Sequence, residues 1–319
     1  MKRKIVSDAY SWGYESPIGI SQDIDNTISI LGYYKNEPFH YCDTYECCSI
    51  SFEDDCNFWI DESSTQAQNH ISGSVGVLAS QLAGTNNYFH WMIDCVSRIK
   101  ALGNLEELDY IIFPKINSKY GQKVISALGI NEAQVLIAEP GMMLSAERLS
   151  IPSERRTGNH QVSQWMVEFL RNSFLAKIEK NSEEEKRIYI SRKSRGLRAI
   201  ENAAEVELIL KKYGFITYEF EKIAFDSQVK LMPNASFVLA PHGAGLTNLA
   251  FCNPKTKVLE IFAPCYISSL FYQIAKHVGC EYRFLVGNFS ERDERNSNSR
   301  NIQVDTNDLS QLIENLLLV

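Results

Sequence analysis

The stretch that most constrains the fold is SFVLAPHGAGLTNLAFCNPKTKVLEIF, at residues 236–262. It begins with an apolar run that ends at Pro241, passes through the loop HGAG at 242–245, and continues with apolar residues at helical spacing from Leu246. This order predicts a strand, a tight loop, a helix and a second strand. The two glycines allow a sharp turn and a close approach to a ligand, and the N–H groups at a helix start carry partial positive charge. The loop is therefore predicted to bind an anion.

The glycine pattern alone does not name that anion. A dinucleotide-binding fingerprint carries a third glycine three residues after the second, where this chain has Asn248. Composition excludes one class of polyanion, because a formal net charge of −7 is unlike the basic excess of general nucleic-acid binders. The first residues carry no continuous apolar leader, and no run of about 18 apolar residues occurs. We expect a cytoplasmic protein with no nucleic-acid partner.

Metal binding is not predicted from the sequence. Four of the eight cysteines lie close together, but they form no CxxC pair and have no paired histidine spacing: Cys42, Cys47, Cys48 and Cys56. Reduced, partly buried thiols are the expected state. Asp23 and Asp25 match the DxD pattern of metal-dependent sugar transferases, but they precede any nucleotide-binding unit, and a solvated loop is the interpretation we adopt.

Strands and helices alternate through most of the chain, which indicates crossover units and parallel sheets. The first 80 residues are predicted to be β-rich, with strands at 27–32, 48–52 and 75–80. Further strands are predicted at 110–113, 134–138, 148–152, 187–191, 215–219 and 282–286, and helices at 119–128, 160–180, 201–213, 224–232, 267–278 and 306–318. The polar segment 153–159 interrupts the pattern. The 319 residues are therefore divided into two α/β domains, 1–156 and 157–319.

The segment NNYFHWMIDCVSRIKA, at 86–101, is predicted to be an amphipathic helix. His90 and Asp94 are four residues apart and share a face of that helix. A carboxylate there orients an imidazole and raises its basicity, which suits a general base. A surface pair without chemistry is the alternative from spacing alone.

The loop SRKSRGLR, at 191–198, is the densest basic cluster in an acidic chain. In an open α/β sheet it lies at the carboxyl edge, as the 242–245 loop does, so both can face one ligand. Arginine forks match phosphate oxygens in two-point hydrogen bonds. The alternative is a basic loop that serves solubility only.

Two polar residues flank the glycine loop. Glu260 stands in an otherwise apolar strand, where it accepts hydrogen bonds from ribose hydroxyls or belongs to a structural ion pair. Asn248, near the start of the predicted helix, binds a phosphate or sugar oxygen or caps the helix.

Three blocks of this chain, in the same order and spacing, resemble glycosyltransferase family 61. They are NYFHWMID at 87–94, IYISRKSRGLRAIEN at 188–202 with FDSQ at 225–228, and APHGAGLTNLAF with VLEIF at 240–262. The resemblance implies a GT-B architecture, in which two Rossmann-like domains face a cleft. The N-terminal domain binds the acceptor and the C-terminal domain binds the nucleotide sugar.

The resemblance also implies roles for individual residues. His90 and Asp94 are the catalytic pair, in which the base is His90 oriented by Asp94 or Asp94 itself, and no metal or cofactor is required. The residues implied to bind the donor, most simply a UDP-sugar, are Arg192, Arg198, Gln228, His242, Gly243, Ala244, Gly245, Asn248 and Glu260.

The implied function is an inverting, metal-independent hexosyl- or pentosyltransferase. It would act on a glycan or lipid-linked glycan of a capsule or lipopolysaccharide precursor, in the cytoplasm or peripherally at the inner face of the membrane. Two alternatives remain open from the sequence: a pyruvyl-type transferase of similar architecture that acts on a glycan, and a catalytically silent nucleotide-sugar-binding protein.

Overall fold

The computed structural model describes residues 4–5, 19–22, 27–31, 69–78, 87–114, 119–138, 143–150, 162–177, 185–193, 197–264, 266–289 and 300–318. The chain divides into two compact units, residues 1–159 and 160–319. Several sequence predictions fall outside the described residues: the 48–52 strand, the Asp23–Asp25 pair, the four clustered cysteines and the 153–159 segment.

The first unit contains a seven-stranded mixed sheet. Its strands are β1 Lys4–Ile5, β2 Gly19–Gln22, β3 Thr27–Leu31, β4 Asn69–Val77, β5 Tyr110–Phe113, β6 Val135–Ile137 and β7 Met143–Ser150. They lie in the order β1-β2-β3-β7-β4-β5-β6. The pairs among β7, β4, β5 and β6 are parallel, whereas β1, β2 and β3 form an antiparallel edge. The run β6-β5-β4-β7 has the 3-2-1-4 order of a doubly wound sheet. All four strands are parallel, and it is the order of the strands along the chain that reverses between β4 and β7.

The helical segment after β4 differs from the regular amphipathic helix predicted there. It consists of α1 Tyr88–His90, a π-helix Trp91–Cys95 and a 3₁₀-helix Val96–Leu102. The Val96 N–H contacts the carbonyls of both Met92 and Trp91, and the Ser97 hydroxyl donates to the Ile93 carbonyl, so the hydrogen-bond ladder changes step here. All residues from 91 to 99 except Asp94 are buried, so burial is not confined to one apolar stripe of this segment.

The second unit contains a five-stranded, wholly parallel sheet. Its strands are β8 Lys186–Ile190, β9 Phe215–Tyr218, β10 Ala235–Pro241, β11 Lys257–Phe262 and β12 Glu281–Val286, in the order β12-β11-β10-β8-β9. This is the 2-1-3-4-5 order of flavodoxin-like sheets, and its reversal point lies between β8 and β10. A short antiparallel pair follows, β13 Asn288–Phe289 with β14 Ile302–Gln303.

The helices alternate with these strands. They are α2 Lys119–Ala127 in the first unit, and α3 Gln164–Phe174, α4 Ala203–Lys212, α5 Phe225–Leu231, α6 Leu270–Val278 and α7 Thr306–Leu318 in the second. Alternating apolar residues of β10 and β11, such as Leu239 and Leu259, are fully buried against Val206 of α4 and Ile313 of α7. Burial of this kind stabilises the fold by about 1.5–3 kcal/mol per large apolar side chain.

The predicted α/β class with parallel sheets is confirmed, and β5 and β10 lie in different sheets. Most predicted elements are present with ends shifted by no more than four residues. The larger differences are β4, which begins at Asn69 instead of residue 75, β7, which begins at Met143 instead of residue 148, and α3, which ends at Phe174 instead of residue 180. Within the ranges given above, no helix is both long and apolar enough to cross a bilayer.

Candidate anion site

The second unit brings the two predicted ligand loops to one place in its sheet. The 191–198 loop follows β8 and the 242–245 loop follows β10, and these strands are hydrogen-bonded neighbours. Loops at the carboxyl ends of parallel strands form a crevice where the strand order reverses, and ligands of doubly wound proteins bind there. The order β9-β8-β10-β11 places that reversal between these two strands.

Arg192 and Gly243 are in direct contact. The guanidinium Nη1 of Arg192 occupies the position that a Cβ on residue 243 would take, and its Nε donates to the Leu197 carbonyl at 3.2 Å. The backbone of Gly243 is extended, with φ 168° and ψ 167°, which any residue can adopt. The backbone conformation at 243 therefore does not itself need a glycine, although the chain bends here as predicted, and the close approach to a ligand stays a prediction. A side chain at 243 would displace the guanidinium end of Arg192.

Arg198 approaches the same loop from the other end of the basic segment. Its Nε donates to the His242 carbonyl at 3.3 Å, and its guanidinium lies 5.3 Å from the centre of the Tyr266 ring. Arg198 has a left-handed backbone, with φ 54°, which is uncommon for a residue with a side chain. Both predicted arginines therefore converge on the glycine loop. No group of three or more His, Cys, Asp or Glu side chains in the described ranges is arranged to hold a metal ion.

A 3₁₀-helix, Ala244–Phe251, begins directly after Gly243, two residues earlier than predicted. Its first hydrogen bond runs from the Leu246 N–H to the Gly243 carbonyl, and the two N–H groups that precede it, of Ala244 and Gly245, present partial positive charge. Its other end is held by Arg171 of α3, whose Nη1 donates to the carbonyls of Ala250 and Cys252, each at 2.6 Å. Burial lowers the pKa of Arg171. Its positive charge is nevertheless favoured here, because the two carbonyls lie at the C-terminal end of the helix.

Gln228 and Asn248 lie in a hydrogen-bonded layer beneath the loop. Gln228 Nε2 donates to the carbonyls of Phe220 and Ile223, and its Oε1 accepts from Asn248 Nδ2 at 3.0 Å. Asn248 is fully buried, and its Nδ2 also donates to the Gly245 carbonyl. The helix start has no side-chain cap, so the capping alternative for Asn248 is wrong. These two amides hold the shape of the loop from below.

Glu260 is engaged by protein groups on both of its oxygens. His242 Nδ1 lies 2.5 Å from Oε1, and the Tyr282 hydroxyl donates to Oε2 at 2.6 Å. The carboxylate has no exposed surface. Burial, followed by the charge and the hydrogen bond of Glu260, raises the pKa of Tyr282, so its hydroxyl stays protonated and donates. In this structure Glu260 orients His242. Of the two predicted roles for Glu260, this contact corresponds to the structural pair and not to ribose binding.

The His90–Asp94 pair is formed in the first unit. His90 Nδ1 lies 2.6 Å from Asp94 Oδ2, and both side chains are partly buried. Asn87 caps the segment by accepting from the Phe89 N–H, and the Phe89 ring packs edge-on against the imidazole. A carboxylate at Nδ1 leaves Nε2 as the basic nitrogen of a neutral imidazole. The pair lies in the first turns after β4, one of the two strands at the order reversal of this sheet.

Sequence reasoning missed three residues of the site: Arg171, Tyr266 and Tyr282. None of them lies in a motif, and each reaches its partner only through the packing of neighbouring strands and helices. Arg171 meets the carbonyls at the end of the 3₁₀-helix, Tyr266 the His242 ring and Tyr282 the Glu260 carboxylate. Contacts of this kind, such as an arginine that donates to two distant carbonyls or a hydroxyl that donates to a distant carboxylate, leave no local pattern in a single sequence.

These features define the class of the second unit: a doubly wound, parallel α/β protein with two arginines, which form a candidate anion site, at the reversal of strand order. Residues 88–259, more than half of the chain, match the family described as Glycosyltransferase 61. A rice (Oryza sativa subsp. japonica) protein named beta-1,2-xylosyltransferase RCN11 is 37% identical over 71 residues, which is 22% of this chain and 13% of that protein. The chain belongs to glycosyltransferase family 61, as the resemblance predicted.

Proposed function

We propose that the protein is an inverting, metal-independent glycosyltransferase. It moves a sugar from a UDP donor to a hydroxyl of a surface polysaccharide or lipopolysaccharide precursor. The observation that carries this proposal is the convergence of Arg192, Arg198 and the 242–245 loop at the strand-order reversal. Membership of family 61 supports the class of reaction.

The chemistry of the convergent groups suits a diphosphate. Two guanidinium groups and the N–H groups of a helix start offset the charge that develops on a leaving diphosphate, which is the role that a metal ion takes in other transferases. In this proposal the two units form a GT-B arrangement, with the donor on the second unit and the acceptor on the first.

His90 is the base of the proposed reaction. Its Nε2 removes the proton of the acceptor hydroxyl while the acceptor oxygen bonds to the anomeric carbon and the bond from that carbon to the phosphate oxygen breaks. Asp94 holds the imidazole by Nδ1 and stabilises the imidazolium that forms. The displacement inverts the anomeric centre in a single step.

The donor sugar is proposed from the relative. The rice protein is named a xylosyltransferase, so UDP-xylose is the first donor to test, followed by UDP-hexoses. The proposed location is the cytoplasm, with peripheral contact at the inner membrane face when the acceptor is lipid-linked.

A thermal-shift panel tests the donor site. A ligand that binds only the folded state raises the melting temperature by an amount that depends on occupancy, about 2.7 kcal/mol of stabilisation at a hundredfold excess over Kd. We expect UDP and UDP-sugars to raise the melting temperature more than UMP, which lacks the second phosphate. No shift with any nucleoside diphosphate would contradict the proposal. UDP release from a UDP-sugar with a glycan acceptor then separates a transferase from a silent binding protein.

A further inference from the structure

Three aromatic rings fix the plane of the His242 imidazole. Phe262 stacks on it with ring centres 5.2 Å apart, and Tyr266 and Phe271 pack against it at 5.0 and 5.1 Å. The residue is 4% exposed, and its Nδ1 is held by Glu260. Nε2 is the remaining polar atom of the ring, and so the atom through which His242 can contact a ligand.

The hydrogen bond between His242 and Glu260 limits the number of protons that the two side chains carry together. One proton lies between Nδ1 and Oε1, whichever atom carries it. With that proton alone, Nε2 has a lone pair and faces an anionic oxygen unfavourably. To donate to a phosphate oxygen, Nε2 needs a proton of its own. For His242 to donate to a bound diphosphate, the pair must therefore hold two protons.

We propose that binding of a nucleoside diphosphate at the glycine loop takes up a proton on Nε2 of His242, with Glu260 and Tyr282 as positioning residues. This inference rests on the proposed donor site. The proton comes from solvent, forms the Nε2–H bond that donates to a phosphate oxygen, and returns to solvent when the diphosphate leaves. No covalent bond of the protein or the nucleotide changes otherwise.

The charged and titratable neighbours of His242 set the direction of this coupling. Glu260 on β11 favours a second proton, and Tyr282 on β12 acts through Glu260. Arg198, at the His242 carbonyl, and Arg192, against Gly243, oppose further positive charge, and Tyr266 adds a ring contact. A diphosphate between these groups reverses the balance, because its negative charges favour the protonated form. UDP affinity should therefore fall as pH rises.

Calorimetry in two buffers of different ionisation enthalpy measures the proton directly. UDP is used at about pH 8, where its terminal phosphate is ionised because its second pKa is near 6. We expect wild type to take up as much as about one proton per UDP. His242→Gln should bind UDP more weakly and without proton uptake. UDP binding without uptake in wild type would overturn this inference alone, whereas no UDP binding would overturn the donor site and this inference together.

A matched pair of tyrosine variants tests the positioning role. Tyr282→Phe keeps the ring and removes the donor to Glu260, so the carboxylate retains a proton more readily and the fall in UDP affinity begins at a higher pH. Tyr272→Phe is the control, because its ring packs against Tyr282 with centres 5.4 Å apart and is 43% exposed. Its pH profile should match wild type. Superimposable profiles for the two variants and wild type would overturn the role of Tyr282.

Discussion

The guanidinium of Arg192 occupies the space in which residue 243 would carry a Cβ. Gly243→Ala should therefore displace Arg192 without straining the backbone, since the φ of 168° is open to alanine. We expect UDP affinity to fall by about tenfold or more, because a charged hydrogen bond contributes about 1.5–3 kcal/mol. Calorimetric titration with UDP measures the loss.

A double-mutant cycle shows whether Gly243→Ala acts through the arginine. In an Arg192→Ala background the added methyl group has no guanidinium to displace, so it should cost little further affinity. Fully additive losses would show that residue 243 acts by another route.

The arginines themselves should act on binding and leave the fold intact. Replacing Arg192 or Arg198 with alanine is expected to weaken UDP binding by about 1.5–3 kcal/mol, the scale of a charged hydrogen bond, with little change in melting temperature. Lysine should not restore full affinity, because an ammonium cannot form the planar fork. Unchanged UDP affinity in both alanine variants, measured by calorimetry, would place the diphosphate elsewhere.

Replacement of Gln228 should mainly lower the stability of the fold. Gln228→Ala removes the acceptor of Asn248 Nδ2 and the donor to two carbonyls, and leaves a fully buried amide short of a partner. We expect the free energy of unfolding to fall by about 1–3 kcal/mol, measured by urea denaturation. Gln164→Ala, on an exposed hydrogen bond to Glu168 in α3, is the control and should change stability by less than about 0.5 kcal/mol. Equal effects of the two substitutions would contradict the role of the amide layer.

Catalysis should depend on His90 and Asp94 far more than donor binding does. His90→Ala and Asp94→Asn are expected to bind UDP almost normally but to transfer sugar at least about a hundredfold more slowly, the scale of general-base catalysis. The asparagine amide can donate to Nδ1 and so favours the wrong tautomer. Because the base and its orienting carboxylate work as one unit, the two losses should not add. Near-normal turnover of both variants with an accepted glycan would make the pair structural.

The sequence was sufficient for features whose signal is local. The strand, loop, helix and strand around 242–245 follow from apolar runs broken by Pro241 and two glycines. The spacing of His90 and Asp94 predicted their contact, which the structure contains at 2.6 Å. The π-helix at Trp91–Cys95 is not predicted by the sequence, because helical periodicity assumes about 3.6 residues per turn throughout.

Features that depend on strand register were beyond the sequence. Glu260 and Tyr282 are 22 residues apart and meet because β11 and β12 pair in parallel, with Glu260 opposite Phe284 and Tyr282 opposite Val258. Residues alternate between faces of a strand, so a shift of one residue would separate them. The contact between Arg192 and Gly243 was beyond the sequence for a similar reason, since the arginine comes from the loop after another strand.

A crystal structure of the protein with UDP bound tests the central claim most directly. The account predicts the diphosphate at the ends of β8 and β10, with its oxygens within about 3 Å of the Arg192 and Arg198 guanidinium groups, the N–H groups at the start of the 3₁₀-helix and His242 Nε2. A diphosphate bound away from both arginines and the 242–245 loop would contradict it.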